Sequence, residues 1–309
     1  MEKALNPFHF VVVVLAGYIY VKAFQGDYQE AQRQADAMIK ATANRLGRVP
    51  KFLILLAWGQ FGELLRMVRT GRELEEKNGE DPWISVLGES WLRTHCFDFE
   101  GVQQLNKIVM RSNAEQHATW MRTVSRIASG YAELYRGNPV EALRYFSQVR
   151  DPRITSNFIL HWRWRLHAQL GTAEAHLQAA NAADAHREAD DVLAAALSAA
   201  DPTVRALAWE MKSRVASAES NLDSARACMD NALAILDKFD VPVAAWQVHG
   251  TAWDLYRGIG ENRKAEEHRV RAHKVILSLA DSFEPGEPLR DSLLAAAPVQ
   301  RILGRAVSR

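Results

Sequence analysis

The feature that most constrains the fold of this chain is a short phrase that recurs along it. Each copy starts with Gly or Asn among polar residues, reaches a small residue a few positions later, and continues with a helical pattern. The clear copies are GDYQEAQRQADAMI, GNPVEALRYFSQV, NAADAHREADDVL, NLDSARACMDNAL and GENRKAEEHRVRA, which place Ala31, Ala142, Ala185, Ala225 and Ala265 at equivalent positions. Weaker copies, GQFGELLRMV and FDFEGVQQLNKIV, place Leu64 and Val102 there.

The spacing of these anchor residues predicts the architecture. Successive anchors lie 33 to 43 residues apart, and a sustained period in this range is typical of stacked helix pairs. We expect the Gly or Asn to adopt the left-handed conformation that reverses the chain between two helices. The small anchor residue then lets the second helix approach the first, with larger side chains packing on either side of it.

Proline placement marks the helix starts independently. Three prolines follow Asp, a pair that suits the N-cap and the first helical position, and Pro139 opens a second helix in the same way. Where a proline is missing, Asn113 and Gln116 can form a capping box. The six prolines that precede predicted first helices are Pro7, Pro50, Pro82, Pro152, Pro202 and Pro242. We therefore predict an all-α solenoid of about seven antiparallel helix pairs over residues 1–282, with a short helical tail or cap at 283–309.

The run FHFVVVVLAGYIYV at residues 8–21 is the most apolar part of the chain. Its β-branched valines favour a strand locally, but the repeat context predicts the first helix of the first pair. It is shorter than the roughly 20 residues that span a bilayer, and its flanks do not fit a secretion signal. Because a helix that is apolar all round is normally buried on every side, we expect it to pack against a preceding segment, a partner or a second copy of the chain.

Charge and cysteine content restrict the setting. Lys and Arg number 38 against 37 Asp and Glu, so nothing in the bulk charge favours nucleic acid or an anionic membrane surface as a partner. The two cysteines, Cys96 and Cys228, cannot form a disulfide framework in a chain of this size, which favours a reducing compartment. We predict a cytoplasmic protein with no membrane segment and no direct binding of nucleic acid.

The repeats resemble tetratricopeptide (TPR) repeats, in which the second helix carries a small residue at its closest approach and a large one four positions later. Ala142 and Phe146 follow this pattern, whereas Ala185 is followed by Ala189 and Ala265 by Arg269. The period near 40 is longer than the common unit of 34 residues.

The long period is similar to that of the C-terminal region of large bacterial signalling proteins. These include regulators like the maltose-regulon activator, and adenylate/guanylate-cyclase or kinase proteins with an ATPase module before the repeats. The phrases at residues 5–39 and 282–305, LNPFHFVVVVLAGYIYVKAFQGDYQEAQRQADAMI and SFEPGEPLRDSLLAAAPVQRILGR, resemble the cyclase-type group. The resemblance implies a protein-interaction and regulatory module beside an upstream catalytic or ATPase domain. The alternative is the effector-sensing domain of a transcriptional regulator whose DNA-binding domain lies elsewhere.

No motif for catalysis, a cofactor or a metal stands out, since phosphate-loop, HExxH, paired CxxC and GxSxG patterns are absent. We predict a non-enzyme without a cofactor. HCFDFE at residues 95–100 and the pair His186 and Asp190 supply too few ligands for a metal, which favours a turn and an exposed polar face. HWRWRLH at residues 161–167 allows two interpretations, a surface that stacks on anions or bases and packing between repeats, and we favour packing.

A partner-binding surface is predicted on the concave face, which first helices line in stacked pairs. Aromatic residues among mixed charges suit a protein or peptide partner, although packing within the solenoid accounts equally well for the aromatic residues. Helical register from the anchor residues selects Trp91, His95, Tyr131, Tyr135, His167, Glu210, Arg214 and Asp254, and Arg163 of the HWRWRLH segment is included with them.

Overall fold

The computed structural model describes residues 7–42, 48–109, 115–150, 161–199 and 201–304. Within these ranges it contains sixteen helices and no strand. They are α1 (Pro7–Phe24), α2 (Tyr28–Thr42), α3 (Arg48–Ala57), α4 (Phe61–Lys77), α5 (Trp83–His95), α6 (Phe99–Val109), α7 (Glu115–Tyr135), α8 (Pro139–Arg150), α9 (His161–Gln178), α10 (Ala182–Ala199), α11 (Pro202–Ala218), α12 (Leu222–Lys238), α13 (Pro242–Gly258), α14 (Asn262–Asp281), α15 (Pro288–Ala295) and α16 (Ala297–Leu303).

The first fourteen helices form seven consecutive pairs, and α15 and α16 follow as a tail. Within each pair the two helices pack on each other and are joined by a turn of three residues, a length that makes neighbouring helices antiparallel. The predicted all-α solenoid is therefore confirmed. The valine run lies in α1, because repeat packing outweighs local strand propensity there. Among the described helices, none combines the length and the apolar character needed to cross a membrane.

The middle residue of every turn within a pair has a positive φ angle, but it is not always Gly or Asn. Gly occupies this position in four turns, whereas Phe97, Ala180 and Ser220 occupy it in the other three, with φ between 55° and 62°. The assignment of the left-handed conformation to Asn181 and Asn221 was therefore wrong by one residue. Asn221 instead caps the following helix, since its side chain accepts a hydrogen bond from the Ser224 N–H at 3.2 Å. The spacing of the paired helices fixes the backbone conformation of the turn. The residue at its centre adopts that conformation, whether or not it is glycine.

The small anchor residues lie where the two helices of a pair come closest. Ala31, Ala142, Ala185 and Ala225 have no exposed surface. At Ala225 the backbones approach so closely that the Ser213 hydroxyl of α11 donates to its carbonyl oxygen at 2.8 Å. Close approach at these anchors allows the pairs to stack, and the buried apolar residues of the described ranges form three core clusters along the solenoid.

Phe146, four residues after Ala142, fills the space between α7 and α9. It is fully buried and lies against Gly130 and Gly171, where an added Cβ would fall well inside contact distance of its ring. Two glycines on neighbouring first helices thus leave the space that the large residue of the TPR-like pattern fills.

The predicted helix caps are realised in part. Asp201 accepts hydrogen bonds from the N–H groups of Thr203 and Val204, at 2.9 and 3.4 Å, with Pro202 at the first helical position. The pair at residues 81–82 differs, because α5 begins at Trp83 and not at the proline. The pair at residues 151–152 and the capping box at residue 113 lie outside the described residues.

The solenoid closes on itself, so that its second pair meets its seventh and the tail that follows. Gly59, in the turn before α4, lies against Pro242 and Leu279 of the seventh pair. Phe61 at the start of α4 packs against Phe283, with ring centroids 5.9 Å apart. The backbone of Gly62 lies directly against the Ser282 carbonyl. Arg69 of α4 forms two hydrogen bonds with Glu287, at 2.8 and 2.9 Å. This closure converts the concave face of an open superhelix into the wall of an internal space.

Candidate binding site on the concave face

The inner face of the closed solenoid surrounds a cavity of about 370 Å³. Most of its wall comes from the first helices of five consecutive pairs, α5, α7, α9, α11 and α13, and from the tail, with Phe61 of α4, Phe97 and Leu279 of α14 completing it. The volume falls within the range of small-ligand sites, and it also suits one or two side chains of a partner segment.

Eight of the nine residues predicted on the concave face line this cavity, and their role in binding stays a prediction. The ninth, Arg163, lies outside the wall. It is buried beside Asp201, with 3.6 Å between a guanidinium nitrogen and the carboxylate, in a small cleft that Tyr20 and Tyr28 also line. The eight residues are Trp91, His95, Tyr131, Tyr135, His167, Glu210, Arg214 and Asp254.

One end of the cavity is aromatic and uncharged. Trp91 is fully buried, with the rings of Trp164, His167 and His95 edge-on to it at centroid distances of 4.6, 4.9 and 5.3 Å. Burial, helped by the charge of Arg163, lowers the pKa of His95 to about 3. The same causes, with His95 in addition, hold the pKa of His167 well below its ordinary value. Both imidazoles are therefore neutral at pH 7.

Two tyrosines of α7 extend this aromatic surface towards the opening. The Tyr131 hydroxyl donates to the His167 backbone carbonyl at 3.0 Å, which fixes its ring. Tyr135 is 51% exposed, stacks on Phe99 at 5.6 Å and meets Phe97 edge-on at 4.9 Å. Tyr135 is consequently the most exposed of the aromatic side chains in the cavity wall.

The centre of the cavity carries charge. Arg214 of α11 forms an ion pair with Glu174 of α9, and its Nε lies 3.8 Å from a Glu210 carboxylate oxygen. The Thr251 hydroxyl donates to that oxygen at 2.5 Å.

The two carboxylates respond to burial differently. Burial acts to raise the pKa of Glu174, but Arg214 outweighs it and the pKa lies below the ordinary value. Burial raises the pKa of Glu210, and Arg214 offsets only part of that rise. Glu210 is thus a buried carboxylate whose charge the protein itself compensates incompletely.

The tail closes the other end of the cavity. Arg301 of α16 contacts both carboxylate oxygens of Asp254, at 2.6 and 2.7 Å, and lies over the Trp253 ring at 5.1 Å. Ile302 sits beside Gly250, where an added Cβ would come within 3.0 Å of the isoleucine. The concave face is therefore already occupied, at this end, by a segment of the same chain.

Sequence reasoning missed Glu174, Thr251 and the tail residues. Glu174 could have been predicted from the sequence, because it follows His167 by two helical turns and so lies on the same face of α9. The position of the tail could not have been predicted, since Arg301 contacts Asp254 across 47 positions of sequence and no local sequence pattern indicates that contact.

The segments weighed as metal sites have other partners. Cys96 is fully buried, and burial raises the pKa of its thiol. Asp98 accepts a hydrogen bond from the Gly101 N–H at 3.0 Å and pairs with Arg93, while His186 lies 3.2 Å from Glu219. Within the described residues, no group of three or more His, Cys, Asp or Glu side chains could hold a metal ion.

Most of the described side chains of the HWRWRLH segment pack inside the protein. Trp164 and Arg163 are buried, and Trp162 meets Phe24 of α1 edge-on at 6.2 Å. These contacts favour packing between repeats over a stacking surface for anions or bases.

Comparison with solved structures supports the fold. The chain superimposes on a chain of the APC/C hetero-tetramer Cut9–Hcn1 with a TM-score of 0.59 at 14% identity, covering 96% of this chain and 55% of that one. It also matches a tetratricopeptide repeat protein from Parabacteroides merdae with a TM-score of 0.43 at 12% identity, covering 91% of this chain and 97% of that one. No protein-family model and no curated protein matches the chain.

These observations define the class of protein. The chain is an all-α solenoid of antiparallel helix pairs, with a fold similar to that of the Cut9–Hcn1 chain. It spans about half the length of that chain. What is particular to it is the closure of the concave face around a cavity with an aromatic end and a charged centre.

Proposed function

We propose that this chain is a non-catalytic protein-interaction module that binds a protein or peptide segment on its concave face. The observation that carries the proposal is the convergence of aromatic and charged side chains from five consecutive first helices on one cavity. Binding energy at protein interfaces concentrates in aromatic and Arg side chains that fill such recesses, and Tyr135 and Arg214 supply one of each kind here.

The proposed setting is a cytoplasmic, bacterial signal-transduction protein in which the module serves a cyclase, kinase or ATPase domain upstream. The support is the resemblance of residues 5–39 and 282–305 to the cyclase-type group, together with the long repeat period. In this role the module would relay the binding of its partner to the upstream domain.

The second candidate function is the sensing of a small effector, as in the effector domain of a transcriptional regulator. The observation that favours it is the cavity itself, because about 370 Å³ is enough for a metabolite and its aromatic end and charged centre could orient one. A thermal-shift screen of the full chain with metabolites separates the two functions. A rise in Tm that Glu210→Gln abolishes would favour the effector, and peptide binding without such a rise would favour the interaction module.

Selection from a displayed random-peptide library tests the interaction module. We expect selected peptides to bind the full chain and to lose about tenfold or more in affinity with Tyr135→Ala, the loss that corresponds to roughly 1.4 kcal/mol. Tyr145→Ala, which changes a tyrosine on the second helix α8 away from the cavity wall, is the matched control. Peptides that bind equally well to both variants would contradict the proposed site.

Self-association through α1 is part of the same proposal. Leu15, Tyr18 and Val21 are 37%, 46% and 52% exposed and follow one stripe of the helix. Sedimentation velocity of the full chain should show a dimer that Val21→Glu dissociates. Val270→Glu, at a position with the same 52% exposure on α14, should leave it intact. A monomeric parent chain at high concentration would contradict this part of the proposal.

A further inference from the structure

The tail bridges the second and the seventh helix pair of the closed solenoid. At its beginning, Glu284 pairs with Arg66 at 2.7 Å and Glu287 pairs with Arg69 of α4. At its end, Arg301 pairs with Asp254 of α13. Between and next to these ion pairs, Leu293, Pro298 and Ile302 of the tail line the cavity, so the tail takes up part of the concave face that a partner would contact.

The tail inserts apolar side chains into the interior. Leu293, Val299 and Ile302 are each at most 1% exposed, and all but Val299 line the cavity. Gly250 makes room for Ile302, because a side chain at this position of α13 would crowd the isoleucine. The part of the cavity that the tail fills, called the docking groove below, therefore has a recess that fits a branched aliphatic residue.

The charges of the groove specify what should lie beside that aliphatic residue. The repeats contribute the carboxylates of Glu174, Glu210 and Asp254 to the cavity wall, against the guanidinium of Arg214. The tail adds a second guanidinium, Arg301, placed on Asp254. Arg257 of α13 also lies 3.3 Å from Asp254. Without the tail, three carboxylates would therefore face two guanidinium groups, and the remaining excess of negative charge favours a basic replacement occupant.

We propose that α16 is an intramolecular competitor for the docking groove, and that the external partner is a peptide segment with Arg or Lys next to a branched aliphatic residue. The inference rests on the proposed interaction function and names its partner class and its regulation. The sequence of α16, APVQRIL, is itself an example of such a segment.

The hinge at which α16 could leave is also visible. Ala296 is extended, with φ −61° and ψ 132°, and separates α15 from α16. A helix of seven residues is far too short to be stable alone in water. Its place therefore depends on contacts with the rest of the protein, which include the groove contacts and a hydrogen bond from Arg269 of α14 to the Ile302 carbonyl oxygen at 3.0 Å. A competing peptide that makes the groove contacts would weaken this hold and release it.

Hydrogen exchange of the full-length chain tests whether α16 can leave the groove. We expect Arg301→Glu to speed amide exchange in residues 297–303 at least tenfold while the core of α11 stays unchanged. Arg290→Glu is the matched control, since Arg290 lies in the tail but pairs with Asp281 at 3.3 Å outside the cavity wall. The double variant Asp254→Arg with Arg301→Glu should restore slow exchange. Should Arg301→Glu fail to fold, Ile302→Ala provides the milder opening.

Peptide binding tests the competition. A labelled peptide of residues 296–304, AAPVQRILG, should bind full-length Arg301→Glu at least tenfold more tightly than the parent chain. The same peptide with Glu in place of its Arg should not bind. Unchanged exchange in both opening variants would show that the tail is a fixed cap and would overturn the proposal. Faster exchange without tighter peptide binding would overturn it as well.

The outcomes also separate this inference from the interaction function. Library peptides that depend on Tyr135 and bind the parent and Arg301→Glu equally well would reject the competitor and leave the interaction module standing. Failure to select any such peptide from the parent and from Arg301→Glu would reject the interaction module, whatever the tail does.

Discussion

At the scale of single residues, the turns within the helix pairs show how packing overrides preference. All seven centre on a left-handed residue, and three of these residues carry a side chain: Phe97, Ala180 and Ser220. For an L-residue this conformation costs roughly 1 kcal/mol or more. The stacking of the repeats must offset that cost, because the turn geometry is the same with and without glycine.

Ala180→Gly should therefore stabilise the chain by about 0.5–1 kcal/mol, the strain relieved minus the added freedom of the unfolded chain. Ala179→Gly is the matched control, because Ala179 is the exposed neighbour in the same turn without a positive φ. Urea denaturation of both variants measures the difference. Equal effects of the two substitutions would argue against strain at Ala180.

A buried histidine pair makes stability depend on pH. The Nδ1 atoms of His249 and His268 lie 3.1 Å apart, and both residues are buried. Burial, with His268 and Arg271 adding repulsion, lowers the pKa of His249 to about 4. Burial lowers the pKa of His268 also. The native state thus holds neutral imidazoles at a pH where the unfolded chain would already bind protons.

The folded-state pKa values of the two histidines are depressed. The stability that the neutral pair contributes is therefore complete above the unfolded pKa near 6.5 and is lost as the pH falls towards 4. The free energy of unfolding should decrease over that window, by up to about 1.4 kcal/mol per pH unit for each proton that only the unfolded chain binds. Urea denaturation at pH 7 and pH 5 measures the decrease, which His249→Gln should reduce. The same pH dependence in parent and variant would exclude this pair as the cause.

At the scale of elements, helix starts were the most predictable features. Asp-Pro before α11 and the small anchors at Ala142 and Ala225 act through local geometry, so that composition and spacing reveal them. Burial at the helix start is less predictable. Asp201 not only caps α11 but also lies beside the buried Arg163, a neighbour contributed by a different repeat.

Asp201→Ala should consequently cost more than the loss of a cap. Removing a cap costs about 1 kcal/mol, and leaving Arg163 buried without its carboxylate raises the total to roughly 3–5 kcal/mol. Asn221→Ala, which removes the exposed cap of α12, should cost about 1 kcal/mol only. Chemical denaturation compares them, and equal losses would show that the Arg163 contact contributes nothing.

At the scale of the whole molecule, closure of the solenoid is what the sequence could not predict. The contacts that close it, such as Arg69 with Glu287, join residues 218 positions apart, whereas the repeat pattern records only neighbouring helices. Helical register still selected eight residues of one cavity wall, because first helices repeat the same inward face. Arg163, which came from the HWRWRLH segment and not from register, instead lies beside Asp201 and in the cleft that Tyr20 and Tyr28 line.

Closure should be sensitive to added volume at Gly62, where the helix lies directly against the Ser282 carbonyl. Gly62→Ala should destabilise the chain by about 1–3 kcal/mol through overpacking, although alanine favours a helix. Gly17→Ala, in α1 with no atom near the added methyl group, should be neutral or stabilising by up to about 1 kcal/mol. Thermal and urea denaturation measure both, and a stabilising Gly62→Ala would contradict the tight closure.

The central claim is that the concave wall of the closed solenoid is the binding surface. Hydrogen exchange of the full chain with and without a library-selected peptide tests this most directly. We expect slower exchange in the inner helices α5, α7, α9, α11 and α13, with faster exchange in α16 as the peptide displaces it. Protection confined to the second helices of the pairs, with the inner helices unchanged, would contradict it.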